Sequence, residues 1–293
     1  MKIGLSVVRF DWPGNPENTG KVLAEIAARV DEGFDSLWVM DHFFQIDPGI
    51  GSYDDPMLEA YSTLHYMAAF TKRVKLGVLV TGVNYRKPAL LVKEVTTLDV
   101  LTGGRAYFGI GAGWYEHEAL GLGFDYPPLA ERFERLEETL QIAKHMWSGN
   151  REAFEGKYSN MQEPVNSPQP LSKPHPPILI GGSGEKKTLR MVAQYADASN
   201  IFGLLEPEVI QHKYDVLKQH CDELGRNYDE IEKSTLHTVH IAPGKLSAAD
   251  MIAHCKKYAA VGVNHMIFNM PVYHDMVAID TFLKEIIPAV KDL

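Results

Sequence analysis

The stretch Pro177-Ile178-Leu179-Ile180-Gly181-Gly182-Ser183-Gly184 joins a short apolar run to a glycine-rich turn, and a helical pattern follows at residues 185–195. A continuous apolar run without alternation is typical of a strand that is buried on both faces, as in a parallel sheet. A helix after such a strand completes the repeating unit of an α/β protein. The stretch therefore predicts one β–turn–α unit.

The same unit recurs on both sides of this stretch. Continuous apolar runs predict eight strands, at residues 2–8, 36–40, 74–80, 106–110, 177–180, 196–201, 234–241 and 265–269. Apolar residues at helical spacing predict eight helices, at residues 19–30, 58–70, 88–101, 131–147, 185–195, 206–224, 247–260 and 276–290. This alternation predicts a single α/β domain over residues 1–293, a (β/α)8 TIM barrel.

A doubly wound open sheet would show a similar alternation. The number of units and the lack of a linker that divides the chain favour the barrel. Residues 149–176 are rich in Gly, Pro, Asn and Ser, and they are too many for an ordinary connection. We expect them to form an insertion at the barrel rim, between the fourth helix and the fifth strand.

The composition favours a small-molecule ligand. The net charge of −9 opposes binding to nucleic acid or to anionic membranes, because both need a basic surface. The two cysteines, Cys221 and Cys255, have no metal-binding spacing. No stretch approaches the roughly 18 apolar residues of a membrane span, and the N-terminal run lacks a signal-peptide pattern. We expect a cytoplasmic protein without a bound metal.

The active site of a parallel barrel lies at the carboxyl ends of its strands. Asp41-His42 follows the second strand and pairs a carboxylate with a side chain that titrates near neutrality. This pair suits proton transfer, or it is a capping Asp beside a solvated His. Glu116-His117-Glu118 is the other charged cluster near the rim, and we expect it to be a solvated loop.

The fourth strand opens into Gly109-Ile110-Gly111-Ala112-Gly113-Trp114. Counted from Gly109, the third glycine of a dinucleotide fingerprint is replaced by Trp114, so a Rossmann site is not supported. A strand end without side chains would let a flat ligand approach the backbone, with Trp114 as a wall. The alternative is a tight turn that needs a positive φ.

The turn Ile180-Gly181-Gly182-Ser183-Gly184 leads into a helix, so its free amides and the helix dipole favour a phosphate group. Ser183 adds a hydroxyl donor. Lys186 stands where a P-loop requires glycine, which argues against nucleotide-triphosphate hydrolysis. A plain glycine turn is the alternative.

These segments together resemble the bacterial luciferase-like monooxygenase superfamily, and specifically its coenzyme F420-dependent oxidoreductase branch. The resemblance spans nearly the whole chain. It rests on the motifs at residues 36–43, 76–82, 85–89, 98–105, 109–114 and 176–184.

The resemblance implies a barrel that binds F420, or alternatively FMN, with the ring in the barrel mouth and the phosphate at Ile180 to Gly184. It implies a bulge of the third strand under the ring, often with a non-prolyl cis peptide. The matching positions beside the ring are Val78, Leu79, Val80 and Thr81, with Gly111, Ala112 and Gly113 as a backbone wall.

The resemblance also assigns chemistry. It implies hydride transfer between F420 and a small organic substrate, with His42 exchanging the proton and Asp41 orienting His42. Four side chains are candidates for the substrate pocket, namely Trp12, Phe43, Trp114 and Asn269. Trp114 stands where relatives that oxidise sugar phosphates have a glutamate, so their substrate class does not transfer. A homodimer is implied as well.

Three other functions stay open. With FMN, the chain would be a monooxygenase that uses molecular oxygen under a lid drawn from residues 149–176. A phosphate-binding aldolase or isomerase could use the same barrel, although no predicted strand ends in the lysine that a Schiff base needs. A barrel that binds the cofactor without catalysis is the third.

Overall fold

A computed structural model describes residues 1–293, and it forms a parallel barrel wrapped by helices. The strands are β1 (Lys2–Val7), β2 (Ser36–Val39), β3 (Lys75–Val78), β4 (Thr81–Gly82), β5 (Phe108–Gly111), β6 (Phe154–Glu155), β7 (Asn160–Met161), β8 (Ile178–Gly181), β9 (Ala198–Phe202), β10 (Glu232–Thr238) and β11 (His265–Asn269). All eight predicted strands are present, with ends that differ by a few residues. The predicted fold class is therefore confirmed.

The helices alternate with the strands of the barrel. They are α1 (Thr19–Asp31), α2 (Ala60–Ala68), α3 (Pro88–Leu101), α4 (Glu116–Gly121), α5 (Leu129–Trp147), α6 (Thr188–Tyr195), α7 (Pro207–Leu224), α8 (Ala248–Ala259), α9 (Val277–Thr281) and α10 (Ile287–Val290). A π-helical turn joins α9 to α10. No helix combines the length and the apolar character needed to cross a membrane.

The barrel closes between its third and fourth strands. The sheet runs in the order β3-β2-β1-β11-β10-β9-β8-β5-β4, and all its pairings are parallel. A bridge between Leu76 and Ala106 joins β3 to the approach of β5, where the Leu76 amide donates to the Arg105 carbonyl at 2.9 Å. β3 and β4 together thus form the third strand of the barrel, and a bulge at Leu79 and Val80 separates them.

Two apolar clusters hold the barrel. A large cluster lies between the strands and the helices, and a smaller one, which includes Trp38, Tyr107 and Leu179, fills the barrel interior. A polar group lies at the amino end of the interior, where Ser36 Oγ contacts His265 Nε2 at 2.7 Å and His265 Nδ1 contacts Glu232 at 2.8 Å.

The insertion at residues 149–176 lies between α5 and β8, as predicted. It begins with the antiparallel hairpin of β6 and β7, whose Tyr158 amide donates to the buried Glu138 of α5 at 3.1 Å. Its return path packs on α3, where Asn166 Nδ2 donates to Thr96 Oγ1 at 3.2 Å. These contacts hold the segment on the outer helices α3 and α5, away from the position over the mouth that the FMN alternative gave it as a lid.

Candidate active site

His42 and Glu118 form the centre of a buried cluster at the carboxyl end of β2. His42 Nδ1 lies 3.1 Å from Glu118 Oε1, and the two residues are 76 positions apart in the chain. The Glu118 carboxylate is fully buried, whereas the His42 ring keeps a small exposed edge. Because Nδ1 bonds to a carboxylate, it carries the proton, and Nε2 is left without a protein partner to accept or donate a proton.

Glu118 accepts four hydrogen bonds. Besides His42, its donors are the Tyr85 hydroxyl and the backbone amides of Phe43 and Phe44. Burial alone would raise the pKa of Glu118, but the hydrogen bond and charge of His42 and the bond from Tyr85 hold it below its ordinary value. Glu118 is therefore an ionised buried group, and the prediction of a solvated loop at residues 116–118 was wrong for it.

The sequence contained no local sign of this role. Glu118 lies on α4, a six-residue helix that the periodicity did not predict, and α4 turns one acidic side chain inward while Glu116 stays in solvent. The glutamate that Trp114 replaces in the resemblance is thus not the only acid at this rim. Glu118 supplies a carboxylate four residues further along the chain.

Asp41 has a different role from the one predicted. Its carboxylate accepts two hydrogen bonds from Arg86, at 2.8 and 3.0 Å, and one from the Gly82 amide at 3.0 Å. Burial raises the pKa of Asp41, and the Arg86 guanidinium opposes that rise. No hydrogen bond joins Asp41 to His42, so Glu118, and not Asp41, orients the imidazole.

Arg86 links the end of β2 to β4, the strand segment after the bulge. Its guanidinium also pairs with Glu59 and with Glu94, and it lies 4.8 Å from the centre of the Tyr61 ring. Through Asp41 it reaches the amide of Gly82, which lies in β4 just after the bulge. This ion cluster therefore fixes the position of β4 relative to β2.

The bulge packs the Val80 side chain against two glycines of the neighbouring strands. The Leu79–Val80 peptide bond is cis, as the resemblance implies. A Cβ atom at Gly111 or at Gly181 would lie 2.9 Å from a Val80 methyl carbon, so both glycines make room for this side chain. Val80 is half-buried, and its exposed part forms an apolar floor in the mouth. The close approach predicted for the ring at Gly111 is thus made first by Val80.

The neighbouring predicted residues divide between the mouth and the outer core. Val78 and Ile180 are buried in the cluster outside the barrel, whereas Leu79 belongs to the interior cluster. Thr81 is fully buried and its hydroxyl bonds to Tyr61 at 2.8 Å, so its side chain does not line the mouth as predicted. Ala112 is half-buried and packs on the outer core.

The turn at Gly181 to Gly184 remains open to a ligand. The amides of Ser183 and Gly184 and the Ser183 hydroxyl make no hydrogen bond within the protein, and Gly182 adopts a φ of +122°. The helix after the turn begins at Thr188, three residues later than predicted, so the helix dipole acts from a greater distance. Free amides and a hydroxyl at one turn can bind an anion.

Aromatic side chains build one wall beside His42. The Trp114 ring stands edge-on to His42 at 5.5 Å and stacks on Tyr115 at 5.0 Å. Phe43 instead packs on Tyr85 and on Phe124, which line a cavity of about 290 Å³ between the loop after β4, α5 and the inserted hairpin. The prediction of Phe43 as a substrate contact is therefore not supported by its packing.

Trp12 and Asn269 lie on the other side of the rim. Trp12 is buried against Phe10 and lines a cavity of about 180 Å³ between the loops after β1 and β11. Its indole Nε1 is buried without a partner. Asn269 is buried at the carboxyl end of β11.

A closed parallel barrel with a buried carboxylate–histidine pair at the carboxyl ends of its strands has the architecture of a (β/α)8-barrel enzyme. The sequence pattern of the family described as luciferase-like monooxygenase matches residues 1–278. The chain belongs to this family.

Relatives within the family use two kinds of cofactor. An F420-dependent glucose-6-phosphate dehydrogenase of Microbacterium testaceum is 29% identical over 231 residues, which are 77% of this chain and 66% of that protein. An FMNH2-dependent dimethylsulfone monooxygenase of Pseudomonas putida is 30% identical over 161 residues, which are 55% of this chain and 42% of that protein. The matched part of this chain thus spans less than two thirds of the length of either relative.

A solved structure agrees with the fold over its full length. An F420-dependent secondary alcohol dehydrogenase in complex with an F420-acetone adduct superposes with a TM-score of 0.82, covering 99% of both chains at 19% identity. At this identity the likeness supports the barrel fold.

Proposed function

We propose that this chain is an oxidoreductase that transfers a hydride between coenzyme F420 and a small organic substrate. The observation that carries the proposal is the His42 ring, which an ionised Glu118 holds by Nδ1 so that Nε2 is free to exchange a proton. Relatives that are named F420-dependent dehydrogenases support the choice of cofactor.

The residues at the rim fit a phosphate-bearing deazaflavin. Free amides at Ser183 and Gly184 and the Ser183 hydroxyl would hold the phosphate, with the exposed Lys186 beside them. The exposed part of Val80 would support one face of the ring, because its branched side chain is wedged against Gly111 and Gly181. When bound, the cofactor supplies a ring carbon that accepts or releases a hydride.

The protein's own contribution is proton transfer by His42. As an alcohol is oxidised, its hydroxyl proton passes to His42 Nε2, and the negative Glu118 stabilises the imidazolium that forms. In the reverse direction, the same imidazolium protonates the carbonyl oxygen. Trp114 and Tyr115 cover one side of the His42 ring and limit the access of water.

A monooxygenase that uses FMN is the second candidate, and the relative from Pseudomonas putida favours it. Both candidates share the barrel and the glycine turn, so cofactor binding has to separate them. A homodimer and a cytoplasmic location also remain predictions. Both cysteines are buried and unpaired, which is compatible with a reducing compartment.

Titration of the purified protein with F420 and with FMN, followed by fluorescence, tests the proposal. We expect micromolar or tighter binding of F420 and weaker binding of FMN. The variant His42→Ala should keep the affinity for F420 and lower kcat by about 100-fold or more, because a general acid–base group is lost. His117→Ala, which removes an exposed His from α4, is the matched control. If neither cofactor binds, the proposal is wrong; binding without turnover by any substrate would identify a non-catalytic barrel.

A further inference from the structure

The cavity of about 290 Å³ beside Tyr85 is separate from the mouth of the barrel. Its walls are the loop after β4, the loop between α4 and α5, one face of α5 and the inserted hairpin. None of the residues that we place in the mouth, such as His42, Val80 and Trp114, lines it. Only four of its 14 lining residues are hydrophobic, so polar groups decide which ligand it would take.

Two positive side chains of the lining have donors without a partner. Lys87, at the start of α3, is exposed and makes no ion pair within the protein. Arg135 of α5 donates through Nε and Nη2 to Glu131, which lies outside the cavity, and its Nη1 makes no hydrogen bond. Arg86 also lines the cavity, but three carboxylates already surround it. A carboxylate group in the cavity would therefore pair with Lys87 or Arg135.

Two carboxylates of the same lining have no positive partner. Glu138 of α5 is only 8% exposed, and its one donor is the Tyr158 amide, which lies 3.1 Å from each of its oxygens. A carboxylate accepts about four hydrogen bonds, so most of this capacity is unused. Asp125, on the loop before α5, is exposed and has no partner. Burial of the Glu138 carboxylate costs free energy, which a bound ammonium group would offset.

The opposite charges of the lining do not neutralise one another. Neither Lys87 nor Arg135 forms an ion pair with Glu138 or Asp125, although all four line one cavity. A ligand with a single charge would be attracted by one pair of side chains and repelled by the other. A ligand that carries both an ammonium and a carboxylate group avoids this repulsion.

Two aromatic rings link this cavity to His42. The Tyr85 ring lines the cavity, and its hydroxyl donates to Glu118, the partner of His42. The Phe124 ring also lines the cavity and stacks on Phe43 at 5.4 Å, and the Phe43 amide donates to the same Glu118 carboxylate. A ligand that moves either ring would shift a hydrogen-bond donor of Glu118.

We infer that this cavity is a regulatory site for a small zwitterion, namely an α-amino acid or a dipeptide. The carboxylate of the ligand pairs with Lys87, and its ammonium group pairs with Glu138. Occupancy changes the environment of His42 through Tyr85, so ligand binding and the state of the active site are coupled. The site does not depend on which cofactor the mouth binds.

Calorimetric titration of the purified protein tests this inference. The probes are the common L-amino acids and the dipeptides Gly-Gly, Gly-Glu and Gly-Lys, which distinguish the two kinds of zwitterion. We expect at least one probe to bind with a Kd below about 100 μM. The N-acetyl derivative of the best probe keeps only the carboxylate, and its amide keeps only the ammonium group. Each should bind about 10-fold more weakly or worse, because one charge of the lining is then unpaired.

Variants of the lining give a second test. Lys87→Met and Glu138→Gln each remove one of the two charges and should weaken the binding of the best probe by about 10-fold or more. Asp125→Asn, at an exposed position, tests the negative side even if Glu138→Gln fails to fold, and it should weaken binding by about 3-fold or more. Lys21→Met and Glu163→Gln alter exposed residues outside the cavity and should leave the affinity unchanged.

The coupling to the active site has a readout that needs no turnover. The imidazole nitrogen signals of His42 in NMR spectra, assigned with His42→Ala, should shift when the best probe is added. The shift should be smaller in Tyr85→Phe, which lacks the hydroxyl that reaches Glu118.

Three results would overturn the inference: no probe binds, the singly charged derivatives bind as tightly as the zwitterion, or a bound probe leaves the His42 signals unchanged. Failure to bind F420 would instead overturn the proposed function alone, because no residue that we assign to the cofactor lines this cavity.

Discussion

The replacement Glu118→Gln removes the charge that holds His42 while preserving the shape of the side chain. The Glu118 carboxylate accepts from His42 and Tyr85 on one oxygen and from two backbone amides on the other. A glutamine offers one acceptor oxygen and one amino group, so one of these two pairs of donors would face N–H groups. The imidazole would lose either its tautomer or its orientation.

The magnitude follows from the hydrogen bonds that are lost. A hydrogen bond to a charged group contributes about 1.5–3 kcal/mol, so two lost bonds bound the fall in the free energy of unfolding at about 3–6 kcal/mol before the side chains relax. The effect on catalysis should be about 100- to 10,000-fold in kcat, because the proton-transfer group is misplaced. The affinity for F420 should change little, since no atom of Glu118 is exposed.

The assay is steady-state reduction of F420, followed at its absorbance maximum, with urea unfolding of the same samples. Glu116→Gln, on the exposed face of the same helix, should behave like the unmodified protein. Tyr85→Phe removes one donor and keeps the charge, so kcat should fall by less than about 10-fold. A folded Glu118→Gln protein with normal kcat would refute the role that we assign to this carboxylate.

Three further changes have expected outcomes. Arg86→Met leaves Asp41 buried without its partner, and urea unfolding should show a loss of about 3–5 kcal/mol. Burial would raise the pKa of Glu232, but His265 and Lys2 lower it from 4.5 to about 2. The ionised Glu232 therefore stabilises the fold by about 3 kcal/mol, and this contribution is complete above pH 4.5 and is lost as the pH falls through 2. Glu232→Gln should abolish this part of the pH dependence of unfolding. Gly109→Ala places a Cβ atom 2.0 Å from a backbone carbonyl oxygen, and we expect it to destabilise the barrel by more than about 3 kcal/mol, measured by thermal unfolding.

Two of these changes have a control on the surface. Arg151→Met and Glu230→Gln alter the same residue types at exposed positions, and their unfolding should differ from the unmodified protein by less than about 0.5 kcal/mol. If Arg86→Met unfolds like its control, the ion cluster does not hold β4 in place. If the unfolding of Glu232→Gln keeps its full pH dependence between pH 4.5 and 2, another carboxylate is responsible.

The elements of the barrel could be predicted because each strand and helix is a local pattern. Continuous apolar runs predict the ends of the eight barrel strands to within a few residues. The predicted ends of α3, Pro88 and Leu101, agree with the structure. Short elements escaped the periodicity: β4 has two residues and α4 has six, which is too few for a repeat to appear. The same shortness hid the buried face of α4.

The sequence by itself determined the class of fold, the strand end at which His42 lies and the glycine turn at Gly181 to Gly184, because these depend on neighbours within one β–turn–α unit. Only the tertiary structure decided which acid hydrogen-bonds to His42 and which side chain packs in the space left by Gly111 and Gly181. Glu118 reaches His42 across 76 residues, and Val80 meets Gly181 across 101, because barrel closure brings strand ends together regardless of their distance along the chain. A hydrogen bond between distant residues leaves no period in a sequence, so its partners become visible only when the strands are in register.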